Sequence, residues 1–356
     1  MLDLTHLPEA EREAAMQQHM NELVAQTFDL GHAPLIRSQL YKLADEHHGF
    51  FLMAHHIVWD GASFDVLYRE MSAHYAAFAS GETQSPLPEL IVDQGDFAAW
   101  HNVWMKSDEI QQQLRFWEEL ANRHAQLAEP PIDHARPETP SGNGATAFLG
   151  FDQTQSDAVR SIARQTGSPV SIVFLAIYAA LMSEWMHESA PGIGLPVRGR
   201  PAPELEHVMG FFNNMLPMRV AVQPMLNELS GLDWVREVRR QVTGALSNQD
   251  VPFELIAQQL KLKSAKLYQV LFNFQDVRDR LTRWGNLDHE RVNLLKYGAT
   301  EDLNFWLVEE KDKIAGGFQY DTDVLLPATA DALRDRFVAI VQRLIAQPNQ
   351  LMSELL

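Results

Sequence analysis

His55-His56-Ile57-Val58-Trp59-Asp60-Gly61, preceded by the apolar run Phe50-Phe51-Leu52-Met53-Ala54, is the stretch on which the reading of this chain turns. It predicts a buried strand over residues 50–56 ending in two adjacent histidines, then an Asp-Gly turn and a helical segment. An imidazole titrates nearer neutrality than any other unperturbed side chain, so a histidine where a strand gives way to a turn is a candidate acid or base. Successive strand side chains point to opposite faces, so His55 and His56 are expected to face apart, with one of them toward a given cavity. Asp60 suits the turn by hydrogen-bonding local backbone, and Gly61 by tolerating positive φ. The bland alternative for His56 is a core histidine satisfied by backbone.

Outward from that stretch, helices and strands alternate along the whole chain. Apolar spacing predicts a helix over 9–28, a strand over 35–43 and a hairpin turn at Asp45-Glu46-His47-His48-Gly49, whose histidines read as solvated rather than metal-ligating. Residues 62–79 read as a helix, and 97–124 carry Trp100, Trp104 and Trp117 at helical spacings. The stretch 130–144, rich in Pro, Gly, Thr and Ser, is the clearest linker. It divides the chain into an N-terminal lobe over 1–135 and a C-terminal lobe over 136–356. In the latter, strands are expected at 145–151, 192–197, 268–274, 290–297, 303–309 and 314–320. Helices are expected at 154–165, 170–185, 232–247, 252–260 and 328–346.

Composition narrows the function. The chain has 356 residues, 46% hydrophobic and 21% charged, which suits an ordinary globular protein with room for two cores. Its 29 basic and 47 acidic residues give a net charge of −18, which argues against a nucleic-acid partner. Cysteine is absent, so disulfides, thiolate catalysis and Cys-ligated zinc are excluded. No apolar run reaches membrane-spanning length and the first residues are too acidic for a signal peptide, so a cytoplasmic location away from membranes is expected. Walker-type loops, GxGxxG and GxSxG are all missing. Arg236, Arg239, Arg240 and Lys261, Lys263, Lys266 read as solvated faces, or as a local landing patch for an acidic partner.

Ordered motifs identify a family. The pattern HHxxxDG at His55–Gly61 is followed by Asp96-Phe97-Ala98-Ala99-Trp100, similar to Y-x-D-[FY]-A-x-W with Gln94 where Tyr is usual. Next comes Met209-Gly210-Phe211-Phe212-Asn213-Asn214-Met215-Leu216-Pro217-Met218-Arg219, similar to IGxFVNTxxxR. Asn248-Gln249-Asp250-Val251-Pro252-Phe253-Glu254 matches [HN]QDVPFE throughout, and Leu267–Gln275 resembles LFQVxFxxQ. In this series the chain resembles the condensation domains of nonribosomal peptide synthetases, from about residue 27 to the C-terminus. It departs from them in three ways. Two early motifs, a SxxQxRxW-like segment and RHExLRTxF, have no counterpart, so the first part of the N-terminal lobe is expected to be missing. Trp59 replaces the commoner Ser. The basic segment at 261–266 does not keep RDxSRNPL.

The resemblance implies an α/β (α+β) fold of two chloramphenicol-acetyltransferase-like lobes with a tunnel between them, the N-terminal lobe incomplete. It implies acyl transfer from a carrier-protein thioester to an amine or hydroxyl, in nonribosomal peptide or hybrid polyketide-peptide biosynthesis. His56 would face the tunnel as the catalytic residue. His55, Asp60 and Gly61 would shape the site, with Arg200 a candidate salt-bridge partner for Asp60. Trp59 and Asn213 would line the tunnel. Arg236, Arg239 and Arg240 would receive acyl or peptidyl carrier proteins, whose phosphopantetheine arms supply the only cofactor, and neighbouring synthetase domains are possible further partners. Three readings stand beside this one: an epimerization domain, a degenerate relative that docks carriers without turnover, and a free-standing acyltransferase using coenzyme A or a carrier.

Overall fold

In the computed structural model, which describes residues 1–123, 129–260, 267–268, 270–290 and 298–356, two sheets organise two lobes. The first lobe contains β1 (Leu2–Asp3), α1 (Glu9–Ala25), β2 (Ile36–Lys42), β3 (His48–Ala54) and α2 (Gly61–Ala79). β2 and β3 form the expected antiparallel hairpin, with Leu40 opposite Phe50, and β1 adds a short parallel edge. One face of this sheet buries Tyr41 and Phe51 against Met20 of α1. The opposite face leaves Ile36, Leu40 and Phe50 exposed.

Two helices follow, α3 (Gln94–Trp104) and α4 (Asp108–Arg123). Although α4 precedes the linker, it buries Ile110, Leu114 and Trp117 in the core of the second lobe. The Trp117 indole N–H donates to the Asn248 carbonyl at 2.9 Å. Allegiance in space thus departs from order in sequence.

The second lobe comprises β4 (Gly144–Phe151), α5 (Gln153–Thr166), α6 (Val170–Met186), β5 (Gly192–Val197), β6 (Asn214–Arg219), α7 (Gly231–Leu246) and α8 (Phe253–Gln259). It continues through β7 (Val270–Asp276), the hairpin β8 (Arg283–Trp284) and β9 (Leu287–Asp288), β10 (Leu303–Glu309), β11 (Ile314–Asp321), α9 (Pro327–Ala346) and α10 (Met352–Leu355). Its sheet runs β4-β11-β10-β7-β5-β6, parallel only between β10 and β7 and between β7 and β5. β6 was not foreseen because Pro217 interrupts any strand-like alternation. As an edge strand it tolerates a proline, which cannot donate to a ladder.

Residues of β10 alternate strictly. Leu303, Phe305 and Leu307 face the core, where Phe305 stacks on Phe318 at 4.3 Å and meets Phe337 of α9 edge-on at 4.5 Å. α6 is apolar on nearly all sides and is correspondingly buried, as a central core helix must be. Each large side chain fully buried there contributes roughly 1.5–3 kcal/mol. The one carboxylate on the inward face of β10, Glu309, is matched by Arg160 of α5 at 2.8 Å. No single helix among the described residues is long and apolar enough to cross a membrane.

Most expected elements lie within a few residues of their predicted bounds, but the expected strand at 290–297 falls outside the described residues apart from Glu290. Lys261, Lys263 and Lys266 also lie outside them. The cations of α7 that were expected to receive a carrier have partners within the chain, while Arg236 and Arg240 keep exposed side chains. Arg236 pairs with Asp233 at 2.7 Å and donates to the Gln165 carbonyl, Arg239 donates to the Thr166 and Gly167 carbonyls, and Arg240 pairs with Glu237. The C-terminal carbonyls of α5 lack intrahelical donors, and two of these arginines supply them.

Two further ties cross between the lobes. The β8–β9 hairpin brings Trp284 against Phe50 and Tyr68, and Arg280 pairs with Asp65 of α2 at 2.6 Å.

Candidate active site

β3 ends at Ala54, two residues earlier than alternation alone predicts. The His55 N–H still reaches the Leu35 carbonyl at 2.9 Å, after which the chain tightens into a single 3₁₀ turn, His56–Val58. The two histidines are therefore separated by the turn and not by strand alternation. His55 is tied down: its Nδ1 accepts the Ile57 backbone N–H at 3.1 Å, and its ring packs edge-on against Phe28. His56 is exposed, and its ring stands edge-to-face with Phe211 of the second lobe at 5.4 Å. No described residue hydrogen-bonds the His56 ring. It is an imidazole presented on a rigid turn with both nitrogens free for chemistry.

Asp60 supplies the rigidity. It caps α2 by accepting the Ser63 N–H at 2.8 Å, part of a reciprocal capping box. The same carboxylate receives Arg200 at 2.7 and 3.1 Å and the Phe212 N–H at 3.2 Å. The side chains of Arg200 and Asp60 are 1% and 0% exposed. Burial removes both ions from water, and the pair persists because nearly every donor and acceptor is used. Arg200 also donates to the Leu205 and Val208 carbonyls and lies over the Phe212 ring at 4.4 Å. This guanidinium–carboxylate fork fastens the turn that carries His56 to the loop that carries Phe211.

Other expected residues behave differently. Gly61 is the first residue of α2 without positive φ, and a Cβ there would meet no atom within 4 Å. Neither turn geometry nor a close approach by the protein itself demands glycine at this position. Trp59 turns inward instead of lining an open cleft. It is 6% exposed, packs on Phe64 at 5.4 Å, and its buried Nε1 has no hydrogen-bond partner among the described residues. Asn213 is half-buried. Counting along IGxFVNTxxxR places the motif's asparagine on Asn214.

Asn214 is a clamp that sequence reasoning missed. Its amide donates to the Gln249 and Val251 carbonyls at 2.7 and 2.6 Å, and its oxygen accepts the Phe253 N–H at 3.1 Å. The Asn248–Glu254 motif is further held by Gln113, which exchanges hydrogen bonds with Asp250. That motif is thus a braced segment beside the site. Replacing Asn214 by alanine is expected to cost about 1–3 kcal/mol by orphaning these backbone groups, measured as a shift in urea midpoint. An unchanged midpoint would show that the segment is held by other means.

Ser63 escaped notice, and Gln94 was noticed only as a departure from the usual Tyr. The Ser63 Oγ bridges Asp60 to both backbone polar groups of Gly210, and Gln94 donates to the Phe211 carbonyl at 2.9 Å. Among the described residues no group of three or more His, Asp or Glu side chains converges to hold a metal ion.

The family model described as "Condensation domain" matches residues 1–356. Gramicidin S synthase 2 of Brevibacillus brevis is 30% identical over 93% of this chain, which spans 7% of that protein. Phosphinothricin tripeptide synthetase of Streptomyces viridochromogenes is 32% identical over 98% of the chain, which spans 32% of it. Among solved structures, the condensation domain from monacolin K polyketide synthase superposes with a TM-score of 0.83 at 17% identity, covering 96% of this chain and 79% of that one. The X-domain from teicoplanin biosynthesis gives 0.79 at 23% identity, covering 99% and 79%.

Proposed function

We propose that this chain, which belongs to the condensation-domain family, transfers an acyl group from a carrier-bound thioester to an amine with His56 as its catalytic residue. The observation that carries this reading is the exposed His56 ring on a turn locked by the buried Asp60–Arg200 pair. A fixed imidazole beside open space can orient the attacking nitrogen and take up its proton. The acceptor nitrogen attacks the thioester carbonyl, the C–S bond breaks, and the nitrogen's proton passes through the imidazole to the departing thiolate. No covalent acyl-enzyme is needed, and the chain contains no cysteine to form one.

The reactants arrive on phosphopantetheine arms of donor and acceptor carrier proteins and meet between the lobes, in the cytoplasm. The curated relatives extend far beyond the length of this chain, so the peptide made and the order of modules belong to the larger assembly. The open space at Gly61 leaves room for an arm or acyl chain beside His56. Gly61→Ala is therefore expected to keep or raise the melting temperature, since alanine favours a helix more than glycine does, while raising the KM for a thioester donor several-fold. An unchanged KM would place the donor elsewhere. The test of the reaction itself is mass spectrometry of products from a panel of acyl-carrier donors and amine acceptors. Wild-type protein that leaves every thioester intact would overturn the proposal.

A further inference from the structure

The loop at residues 210–212 is tied at each residue, at its ends to the α2 segment that follows the catalytic turn and at its middle to α3. The Gly210 N–H donates to Ser63 Oγ at 3.0 Å, the Phe211 carbonyl accepts from Gln94 Nε2 at 2.9 Å, and the Phe212 N–H donates to Asp60 at 3.2 Å. The middle tie is the distinctive one. Gln94 stands at the first turn of α3, whose N-terminus is fixed by the Asp93–Asp96 capping box. A Cβ on Gly210 would lie 2.8 Å from the Gln94 oxygen, so the glutamine amide and the loop are in close contact as well as hydrogen-bonded. What this arrangement presents is the Phe211 ring, 40% exposed and edge-to-face with His56 at 5.4 Å.

We propose that Gln94 is a positioning residue that sets Phe211 against His56, and that Phe211 is the wall that selects acceptors by size. The inference rests on the acyl-transfer reading for its substrate class, but the link from Gln94 to Phe211 does not. The rotamers open to a half-exposed aromatic ring depend on its backbone φ and ψ, so a ring on a loop returns to one place only where that backbone is held. With the Phe211 carbonyl anchored, the ring occupies space beside the imidazole that a bulky acceptor side chain would otherwise use. The effect belongs to substrate choice and not to proton transfer, because neither Gln94 nor Phe211 carries a titrating group at neutral pH.

Three variants and two readouts separate these statements. Gln94→Glu keeps the shape and removes the N–H donor, and Gln94→Leu removes both polar atoms. With 4-fluorophenylalanine at position 211, the fluorine resonance is expected to be single and narrow with Gln94 present, and broadened or split in both variants. In parallel, transfer to glycyl and phenylalanyl N-acetylcysteamine thioesters reads selectivity. Phe211→Ala is expected to raise the phenylalanyl-to-glycyl ratio of kcat/KM at least tenfold, mostly through KM. Either Gln94 variant should raise that ratio part-way, with no further change in the Phe211→Ala background. Equal fluorine spectra in all proteins, or Gln94 effects that persist without the Phe211 ring, would overturn the positioning role. An unchanged ratio in Phe211→Ala would overturn the selecting wall. If wild-type protein transfers to neither thioester, the acyl-transfer reading and the selecting wall fail with it, and the fluorine spectra still decide the role of Gln94.

Discussion

Replacing His56 by alanine is expected to lower transfer to a hydroxyl acceptor by about 10²–10⁴-fold, the usual scale of general-base catalysis. The melting temperature should stay where it is, because the ring is exposed and meets Phe211 of the second lobe edge-to-face. A neutral hydroxyl is a poor nucleophile, so its proton must leave as it attacks. An α-amine has a pKa near 8, and roughly a tenth of it is already neutral at pH 7. With an amine acceptor the loss should therefore be smaller, and it should shrink further as the pH rises through the acceptor's own pKa. His55→Ala should instead act on stability, because that ring caps the 3₁₀ turn and packs on Phe28. Rate–pH profiles of wild type and His56→Ala with matched amine and alcohol acceptors decide the matter. Equal losses for both acceptors at every pH would reduce His56 to a positioning group, and full activity in the variant would remove it from the mechanism.

Asp60→Asn is expected to destabilise the protein by about 3–5 kcal/mol, the cost of leaving one member of a buried ion pair without its partner. Arg200, 1% exposed, cannot turn to water without opening the loop that it braces. Activity should fall in step with stability as the turn bearing His56 loses its anchor. Replacing both partners together, Asp60→Asn with Arg200→Met, should recover part of the loss, because two neutral groups no longer require charge pairing. Denaturant unfolding of the single and double variants measures the coupling. A stable Asp60→Asn protein with transfer abolished would make the carboxylate a direct participant in the chemistry.

Much of this architecture was legible because periodicity reports which face of an element is buried. The alternation of β10 and the all-apolar α6 are cases where the pattern and the packing coincide. Periodicity does not report where an element stops. The early end of β3 depends on a ladder bond from His55 to Leu35 and on a turn closed by local hydrogen bonds, neither of which leaves a trace in hydrophobic spacing. The intramolecular partners of the α7 arginines were hidden for a related reason. Charge is visible in sequence, but the α5 carbonyls that absorb it belong to a helix some 70 residues away. The site was half visible. HHxxxDG marked the turn, and Arg200 was named as a candidate partner for Asp60 despite the 140 residues between them. Ser63, Gln94 and Phe211 act through backbone groups brought together by the docking of the lobes, which no spacing rule encodes, whereas Asn214 could have been found by counting along its motif.

The Asp60–Arg200 fork spans 140 residues of chain. On a ribosome adding about 5–20 residues per second, that interval is roughly seven to thirty seconds. Throughout it the turn bearing His56 has been made while its anchor has not. A working site is consequently a late event in the life of each new polypeptide, withheld until the downstream sheet has begun to assemble.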